Sequence, residues 1–180
     1  MNDHRTPEEE IAYLHELYAD QIYRYAHLTL GNGADAMDVV QEVFLRAFRS
    51  WNTYRHEANT RTWLLSITRN YITDVIRKKQ SEKRCLDRYK TNELHENTNV
   101  AQSILEVEEM LAQLKPTYRQ VVILRYIDDL SMTETAKILG WSEGKVRVTT
   151  HRALKKLRSL MGATFSEEDH RGELRSGHYS

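Results

Sequence analysis

Basic side chains are concentrated between residues 137 and 158, in the segment KILGWSEGKVRVTTHRALKKLR. This segment contains seven lysines or arginines and one acidic residue, Glu143. Guanidinium and ammonium groups at this density favour an anionic partner such as the phosphate backbone of a nucleic acid. The chemistry predicted for these residues is therefore neutralisation of phosphates and hydrogen bonding to base edges.

No group of residues in the sequence indicates catalysis or a bound metal. Cys85 is the only cysteine, which excludes an internal disulfide and a CxxC metal site. The eight histidines are scattered, without HExxH or paired spacing. We therefore predict no catalytic residue, no metal, no cofactor and no small-molecule substrate, and we expect that the protein is not an enzyme.

Helix-start signals on both sides of one tight turn place the basic residues on a helix. Ser131 with Glu134 predicts a capping box for a first helix, which ends at Gly140. Ser142 can cap the next helix almost at once. Two helices joined by so short a turn predict a helix-turn-helix, and a helix has the right width for the DNA major groove, about 12 Å. The alternatives are a solvated basic helix in a bundle and a helix lying on a membrane surface.

The neutral net charge of the 180-residue chain hides a separation of charges. Residues 1–20 contain one basic and six acidic residues, whereas residues 61–90 contain nine basic and three acidic residues. Two separate basic blocks favour a nucleic-acid partner. No apolar run approaches the roughly 20 residues that cross a bilayer, and no signal peptide opens the chain. We expect a cytoplasmic protein without membrane insertion.

Apolar residues recur at helical spacing through most of the chain, which contains two prolines. The pattern predicts an all-α fold of two small helical domains joined by a flexible linker. The first domain, 1–80, holds three helices that start at Thr6, near Asp35 and near Arg61. Thr6 and Glu9 predict a capping box, and Leu17 of the first helix is expected in the core. A linker spans 81–102, a second domain of four helices spans 103–161, and the tail 162–180 is predicted to be disordered. In the second domain, the apolar spacing predicts packing of Val107, Val121, Val122, Leu124 and Tyr126.

The second predicted helix has an apolar side and a polar side. The apolar stripe is predicted to bury six residues, Met37, Val40, Phe44, Ala47, Phe48 and Trp51. The polar side complements the helix dipole, with acids at the start and arginines at the end. Leu45 lies among these polar residues, and such an exposed apolar residue indicates a protein-docking patch.

Trp63 stands between a polar loop and a basic helix. Aromatic stacking beside basic residues is typical of sites for single-stranded nucleic acid. A core tryptophan is the alternative.

Two segments carry a resemblance to one protein family. The first is DAMDVVQEVFLRAFRSW, followed by the polar loop and TRTWLLSITRNYITDVIRKK. The second is LKPTYRQVVILRYIDDLSMTETAKILGWSEGKVRVTTHRALKKLR. In this order, joined by one linker, they resemble regions 2 and 4 of an extracytoplasmic-function (ECF, group IV) sigma factor of bacterial RNA polymerase.

The resemblance implies a subunit that binds core RNA polymerase and directs transcription initiation at promoters. The implied partners are the β′ clamp helices and the β flap of the polymerase, promoter DNA, and a cognate anti-sigma factor. The implied contacts with core polymerase are Asp35, Asp38, Gln41, Glu42, Phe44, Leu45 and Arg46. The implied contacts with the −10 element are Tyr54, Arg55, His56, Glu57, Ala58, Asn59, Thr60, Arg61, Trp63, Arg69, Asn70 and Arg77. The implied contacts with the −35 element are Ser142, Lys145, Arg147, Val148, His151, Arg152 and Lys155.

Two other functions remain open at this point. A stand-alone helix-turn-helix regulator would bind a duplex operator without polymerase, usually as a dimer. A helical interaction protein would use its basic faces to hold an acidic protein partner.

Overall fold

The computed structural model describes residues 6–54, 59–86 and 102–173, with the side chains of 6–54, 59–82 and 107–162. These residues form α-helices and no strand, which confirms the predicted all-α class. The helices are α1 (Pro7–Leu30), α2 (Gly33–Ser50), α3 (Thr60–Leu86), α4 (Gln102–Ala112), α5 (Pro116–Val122), α6 (Met132–Leu139) and α7 (Glu143–Glu173). A 3₁₀ turn (Trp51–Thr53) follows α2, and a π-helical segment (Ile123–Ile127) follows α5.

The first unit consists of α1, α2 and α3, which pack against one another. Nearby residues fix the start of α1. The Thr6 hydroxyl accepts from the Glu9 amide, and the Glu9 carboxylate accepts from the Thr6 amide. This is the capping box that the sequence predicts. The fully buried side chains of its core include Ile22, Tyr25, Val39, Val43, Leu64, Leu65 and Ile72.

The buried side of α2 differs from the predicted stripe. Val40, Phe44 and Ala47 are buried as predicted, but Met37 and Phe48 are exposed. The stripe is centred on Val43, and at 3.6 residues per turn Met37 and Phe48 lie about 120–140° around the helix from it. The prediction for these two residues is therefore wrong. Leu17 of α1, also expected in the core, is half exposed.

The second unit consists of α4 to α7 and contains the predicted helix-turn-helix. Ser131 and Glu134 form the capping box at the start of α6, and Gly140 ends that helix with a φ of 64°. A φ in this range is open to glycine at little cost, so the chain can turn at once into α7. The Ser142 hydroxyl then accepts from the Lys145 amide at 3.3 Å. The predicted caps are confirmed.

The π-helical segment changes which side chains α5 and its continuation bury. Val121, Val122 and Leu124 are buried as predicted, whereas Tyr126 is 55% exposed. A π-turn holds an extra residue, so side chains beyond Leu124 rotate away from an α-helical register. The predicted packing of Tyr126 is therefore wrong. Val107 of α4, predicted as part of an apolar stripe, is also exposed.

Two helices extend beyond their predicted ends. Helix α3 continues to Leu86, past the predicted boundary at residue 80, and α7 continues to Glu173, through the first part of the tail predicted to be disordered. Gly162 is tolerated inside α7 because one glycine costs a helix only about 1 kcal/mol. The remainder of the predicted linker and tail, 87–101 and 174–180, lies outside the described residues.

The two units are in contact. Helix α1 packs against α4, α5 and the π-helical segment, and α3 packs against α6 of the helix-turn-helix. Across the described ranges, none of the helices combines the length and the apolar character needed to cross a bilayer.

Candidate nucleic-acid interface

Helix α7 presents a row of basic side chains to solvent. Val146, Thr150 and Ala153 are buried and fix this helix on the rest of the second unit. The opposite side carries the exposed residues Lys145, Arg147, Val148, His151, Arg152 and Lys155, which we call the recognition face. Arg147, His151, Arg152 and Lys155 make no hydrogen bond or ion pair with other described side chains. These donors are thus available to an anionic ligand.

The first turn of α7 is anchored to α6. The Thr133 hydroxyl donates to Glu143 Oε1 at 2.7 Å, and the Lys145 ammonium lies 4.3 Å from the centre of the Trp141 ring. Of the residues predicted at the −35 element, Ser142 is occupied as the helix cap. The structure therefore places the predicted −35 residues along the first half of one helix, with Ser142 in a supporting position as its cap.

The residues of α3 that were predicted at the −10 element differ in exposure and in the hydrogen bonds that they make. Asn70 and Arg77 are exposed. Arg69 Nη1 donates to Asn70 Oδ1 at 3.1 Å, which links two of these residues. Arg61 is engaged, because its Nε donates to Gln21 Oε1 at 2.9 Å and its Nη2 donates to the Asp128 carbonyl at 2.6 Å.

The start of α3 is capped by a residue that was predicted as a DNA contact. Asn59 Oδ1 accepts from the Arg61 amide at 2.9 Å, and Thr60 is the first helical residue. Residues 55–58, which hold the predicted contacts Arg55, His56, Glu57 and Ala58, lie outside the described residues.

Three aromatic rings pack together on both sides of this loop. Tyr54 stacks on Trp63 with ring centres 4.3 Å apart. Trp51 lies 5.7 Å from Tyr54 and 5.9 Å from Trp63. Trp51 was predicted only as part of the α2 core. Its place at the end of that helix, directly before the polar loop, is the sequence signal that links it to the other two rings.

A second surface lies on α2. Leu45 is 49% exposed, as predicted, and Met37, Gln41 and Phe48 are exposed beside it. We call these four residues the docking face. Glu42 accepts from Arg46 Nε at 2.7 Å, and the Arg46 guanidinium lies 4.7 Å from the centre of the Tyr71 ring.

Two predicted polymerase contacts on α2 have structural roles. The Asp35 carboxylate pairs with Lys79 of α3. Phe44 is 7% exposed, and its ring centre lies 4.7 Å from that of His15. A direct contact by Phe44 needs a surface that this residue does not have, so we correct its position to a core residue beneath the docking face. Asp38 is exposed, as its predicted role requires.

Two groups with perturbed pKa values, Tyr25 and Arg119, lie where the two units meet. Complete burial raises the pKa of Tyr25 well above its usual value; Arg69 opposes this shift and Asp128 adds to it. Burial lowers the pKa of Arg119, whose guanidinium donates to the carbonyls of Leu111, Ala112, Leu114 and Thr29. The Tyr25 hydroxyl is buried without a hydrogen-bond partner among the described residues. Among the described residues, no cluster of histidine, cysteine and carboxylate side chains could hold a metal ion.

Comparison with known proteins identifies the two units. Residues 14–82 match the family model of Sigma-70 region 2, and residues 104–157 match that of Sigma-70 region 4. The ECF RNA polymerase sigma factor SigX of Bacillus subtilis (strain 168) is 32% identical over 164 residues, which cover 86% of this chain and 84% of SigX. The chain belongs to the ECF RNA polymerase sigma factors. The sigma factor contains both regions in the predicted order, which does not favour a stand-alone regulator.

Solved structures share the fold of this sigma factor. The sigma factor RpoE from Bartonella quintana, in complex with the anti-sigma factor NepR, superposes with a TM-score of 0.73 at 21% identity. The match covers 85% of this chain and 97% of RpoE. CnrH, solved with the cytosolic domain of CnrY, gives a TM-score of 0.65 at 25% identity over 85% of this chain and 88% of CnrH. The predicted fold class and family resemblance are confirmed.

Proposed function

We propose that this sigma factor binds core RNA polymerase through the docking face of α2. A half-exposed leucine, a methionine and a phenylalanine beside Gln41 form an apolar centre with a polar rim, the usual composition of a protein interface. Asp38, Glu42 and Arg46 supply the polar rim. Asp35 fixes α2 through its pair with Lys79 of α3, and Phe44 packs in the core beneath the docking face. The β′ clamp helices are the proposed partner, and the second unit engages the β flap.

The recognition face of α7 is proposed to bind the −35 element as duplex DNA. The observation that carries this proposal is a row of exposed basic donors, unpaired within the described residues, along the first half of a helix that is fixed by its own buried side. Arg147 and Arg152 have the reach and geometry for bidentate bonds to guanine edges. Lys145 and Lys155 neutralise phosphates, and Val148 supplies an apolar contact.

Helix α3 is proposed to hold the opened strand of the −10 element. Asn70 can pair with base edges, and Arg69, Arg77 and Arg61 face the strand backbone. The stacked rings of Tyr54 and Trp63 provide a platform for an unstacked base, because base–aromatic stacking tolerates any sequence. Residues 55–60 complete this site in the proposal.

Catalysis in this scheme belongs to the polymerase, and the sigma factor acts in the bacterial cytoplasm as a non-enzymatic subunit. Regulation by an anti-sigma factor is proposed by analogy with RpoE and CnrH, whose structures contain NepR and the cytosolic domain of CnrY. We propose the same two domains as from the sequence, 1–80 for polymerase binding and the −10 element and 103–161 for the −35 element.

Run-off transcription with purified bacterial core polymerase and a library of random upstream sequences tests the function. We expect transcripts with defined start sites that need the sigma factor. Gel shifts should show weak DNA binding by the free protein and strong binding with core enzyme. An absence of start-site-specific transcripts from every template would contradict the proposal.

The docking face is tested by pull-down of core polymerase with Leu45→Glu and Gln41→Ala. Leu45→Glu should weaken the association at least tenfold, because it places a charge at the apolar centre of the interface. Leu17→Glu is a matched control, since Leu17 is equally exposed but lies on α1. Equal losses in the two leucine variants would argue against the docking face.

A further inference from the structure

The basic helix α7 begins with an acid. Glu143 is its first residue and the only acidic residue between positions 137 and 158 of the chain. It is exposed, and it is not among the DNA contacts that the family resemblance implies. In a helix-turn-helix, the N-terminal residues of the second helix lie against base edges, whereas the first helix crosses the backbone. The motif therefore places the Glu143 carboxylate where bases are read.

The neighbouring helix fixes the position of this carboxylate. Thr133, the second residue of α6, donates from its hydroxyl to Glu143 Oε1 at 2.7 Å. Arg147 lies four residues beyond Glu143, a spacing at which opposite charges can pair on a helix. Within the part of the chain that the structure describes, the two residues form no ion pair, and Glu143 Oε2 has no hydrogen-bond partner. The carboxylate is thus held towards α6, and Arg147 keeps its donors for another acceptor.

A carboxylate on this surface can pair with only some groups of DNA. An ionised carboxylate accepts hydrogen bonds and donates none, and it repels phosphates. The donors in the major groove are the amino groups of cytosine N4 and adenine N6, and the usual partner of glutamate is cytosine N4. Guanine and thymine present acceptors there, which leave a carboxylate unpaired. Glu143 is therefore suited to accept cytosine and to reject guanine and thymine at one position.

Arg147 provides a reference for this position. Its guanidinium matches the O6 and N7 acceptors of guanine. Glu143 and Arg147 are four residues apart, which is about 6 Å along the helix axis. This distance is close to two base-pair steps of about 3.4 Å each. A cytosine read by Glu143 is therefore expected within about two base pairs of a guanine read by Arg147.

An acid at this position also stabilises the helix itself. The positive end of the helix dipole favours acidic residues in the first turn. This effect acts within α7, so it is the same for every DNA sequence. A direct contact instead changes the relative affinity for one base at one position. Base preference therefore separates the two roles.

We propose that Glu143 selects cytosine at one position of the −35 element and that the Thr133 hydroxyl positions its carboxylate for this contact. The inference rests on the proposed function of α7 at the −35 element. The lysines of the recognition face supply affinity for any duplex, whereas Glu143 supplies rejection of the wrong base. Specificity of this kind is achieved by a repulsive element as well as by attractive ones.

The contact is tested with the holoenzyme and a promoter found by run-off transcription, randomised across the −35 element. Bound and unbound DNA are separated and sequenced, which gives the relative affinity for each base at each position. The wild type should prefer cytosine over guanine and thymine about tenfold at one position, the effect of one good base contact. Glu143→Ala should reduce this preference to about twofold or less and leave the other positions unchanged. Glu143→Gln should move the preference towards adenine, because an amide pairs with adenine N6 and N7.

Thr133 is a positioning residue in this proposal, and its variants test that role. Thr133→Val keeps the shape and removes the donor, so the cytosine preference should fall about threefold while the average affinity for the library is unchanged. Thr133→Ser should restore the preference because it keeps the hydroxyl. Thr117→Val, at the second position of α5, and Glu109→Ala on α4 are matched controls at exposed positions. Both should leave the base preference unchanged.

Three results would overturn the role of Glu143. The first is a wild-type protein with no cytosine preference at any −35 position. The second is an unchanged cytosine preference in Glu143→Ala. The third is an equal loss of preference at every position in that variant, which is the result expected from a purely structural role.

The variant that combines Arg147→Ala and Arg152→Ala, measured with the same library, reports on the proposed function itself. If this variant keeps every −35 preference, the assignment of α7 fails and the inference fails with it. If it removes the −35 preferences while Glu143→Ala changes none, the inference alone fails.

Discussion

The two helices that we propose to bind DNA carry similar side chains but differ in what surrounds them. The recognition face of α7 has arginines that pair with none of the described side chains, on a helix fixed by Val146, Thr150 and Ala153. On α3, Arg61 is bonded to Gln21 and to the Asp128 carbonyl of the other unit. Within the described residues, the arginines proposed to bind the duplex are therefore free of such bonds, whereas Arg61, a proposed strand contact of α3, is already bonded. Availability, rather than residue type, distinguishes the two helices.

Loss of both arginines of the recognition face should give the largest effect. Each base contact is worth roughly 1–3 kcal/mol, so Arg147→Ala with Arg152→Ala should weaken −35 binding by the holoenzyme about 100-fold or more. The slope of log affinity against log salt should change little, because Lys145 and Lys155, rather than these two arginines, are proposed to neutralise phosphates. Fluorescence anisotropy at several salt concentrations measures both quantities.

Arg158→Ala is the control for this double variant, because it removes one charge of the same helix about 16 Å beyond Arg147. Its effect should be small. Polymerase association should be unchanged in all these variants, and an equal loss of polymerase binding would contradict the assignment of α7.

Removal of Arg61 should have a smaller effect, and it should remove two interactions at once. Arg61→Ala deletes a strand contact but also breaks the bond to the Asp128 carbonyl, each worth about 1–1.5 kcal/mol. We expect slower promoter opening by the holoenzyme, measured with a fluorescent base in the −10 element, and unchanged affinity for the −35 duplex. Lys78→Ala, which changes an exposed basic residue of α3, should alter neither. Weaker −35 binding by Arg61→Ala would remove the distinction between the helices.

The cap that supports the recognition helix should contribute less. Ser131→Ala should lower the free energy of unfolding by about 1 kcal/mol, measured by urea denaturation. Bonds from the Ser131 side chain and then its amide lower the pKa of Glu134 below its ordinary value of 4.5. Stability from the ionised Glu134 is thus present above pH 4.5 and is lost as pH falls through the lowered pKa.

Glu134→Gln keeps the capping geometry without the titration. The stability difference between wild type and Glu134→Gln should therefore shrink on acidification. A difference that stays constant from pH 6 down to about pH 3 would argue against an ionised capping box.

The smallest effect is expected in the turn after the π-helical segment, at Asp129. Asp129 has a left-handed φ, which glycine adopts without strain, so Asp129→Gly should raise the free energy of unfolding by about 0.5 kcal/mol. Thermal unfolding measures the change. Destabilisation by more than 1 kcal/mol would show that the Asp129 side chain itself holds the turn.

The sequence predicts the parts of this structure that depend on nearby residues. The caps at Thr6, Ser131 and Ser142 are confirmed because each needs a partner only three residues away. The basic face of α7 and the exposure of Leu45 follow from helical periodicity.

Other features depend on residues far apart in the chain. Arg24 and Asp128 are 104 residues apart, and nothing local to either residue indicates that they pair. Tyr126 points outward because of the π-turn. Met37 and Phe48 are exposed because the neighbouring helices cover a different side of α2. Tertiary packing decides these features, so periodicity alone gives the wrong prediction.

Site-specific photo-crosslinking in the initiating complex tests the separate roles of the two helices most directly. A crosslinking amino acid is placed at Val148 on α7 or at Asn70 on α3, and the holoenzyme is bound to a promoter found by run-off transcription. We predict that position 148 crosslinks to duplex DNA of the −35 element and position 70 to the opened strand of the −10 element. Crosslinks from both positions to the same element would contradict this division of roles.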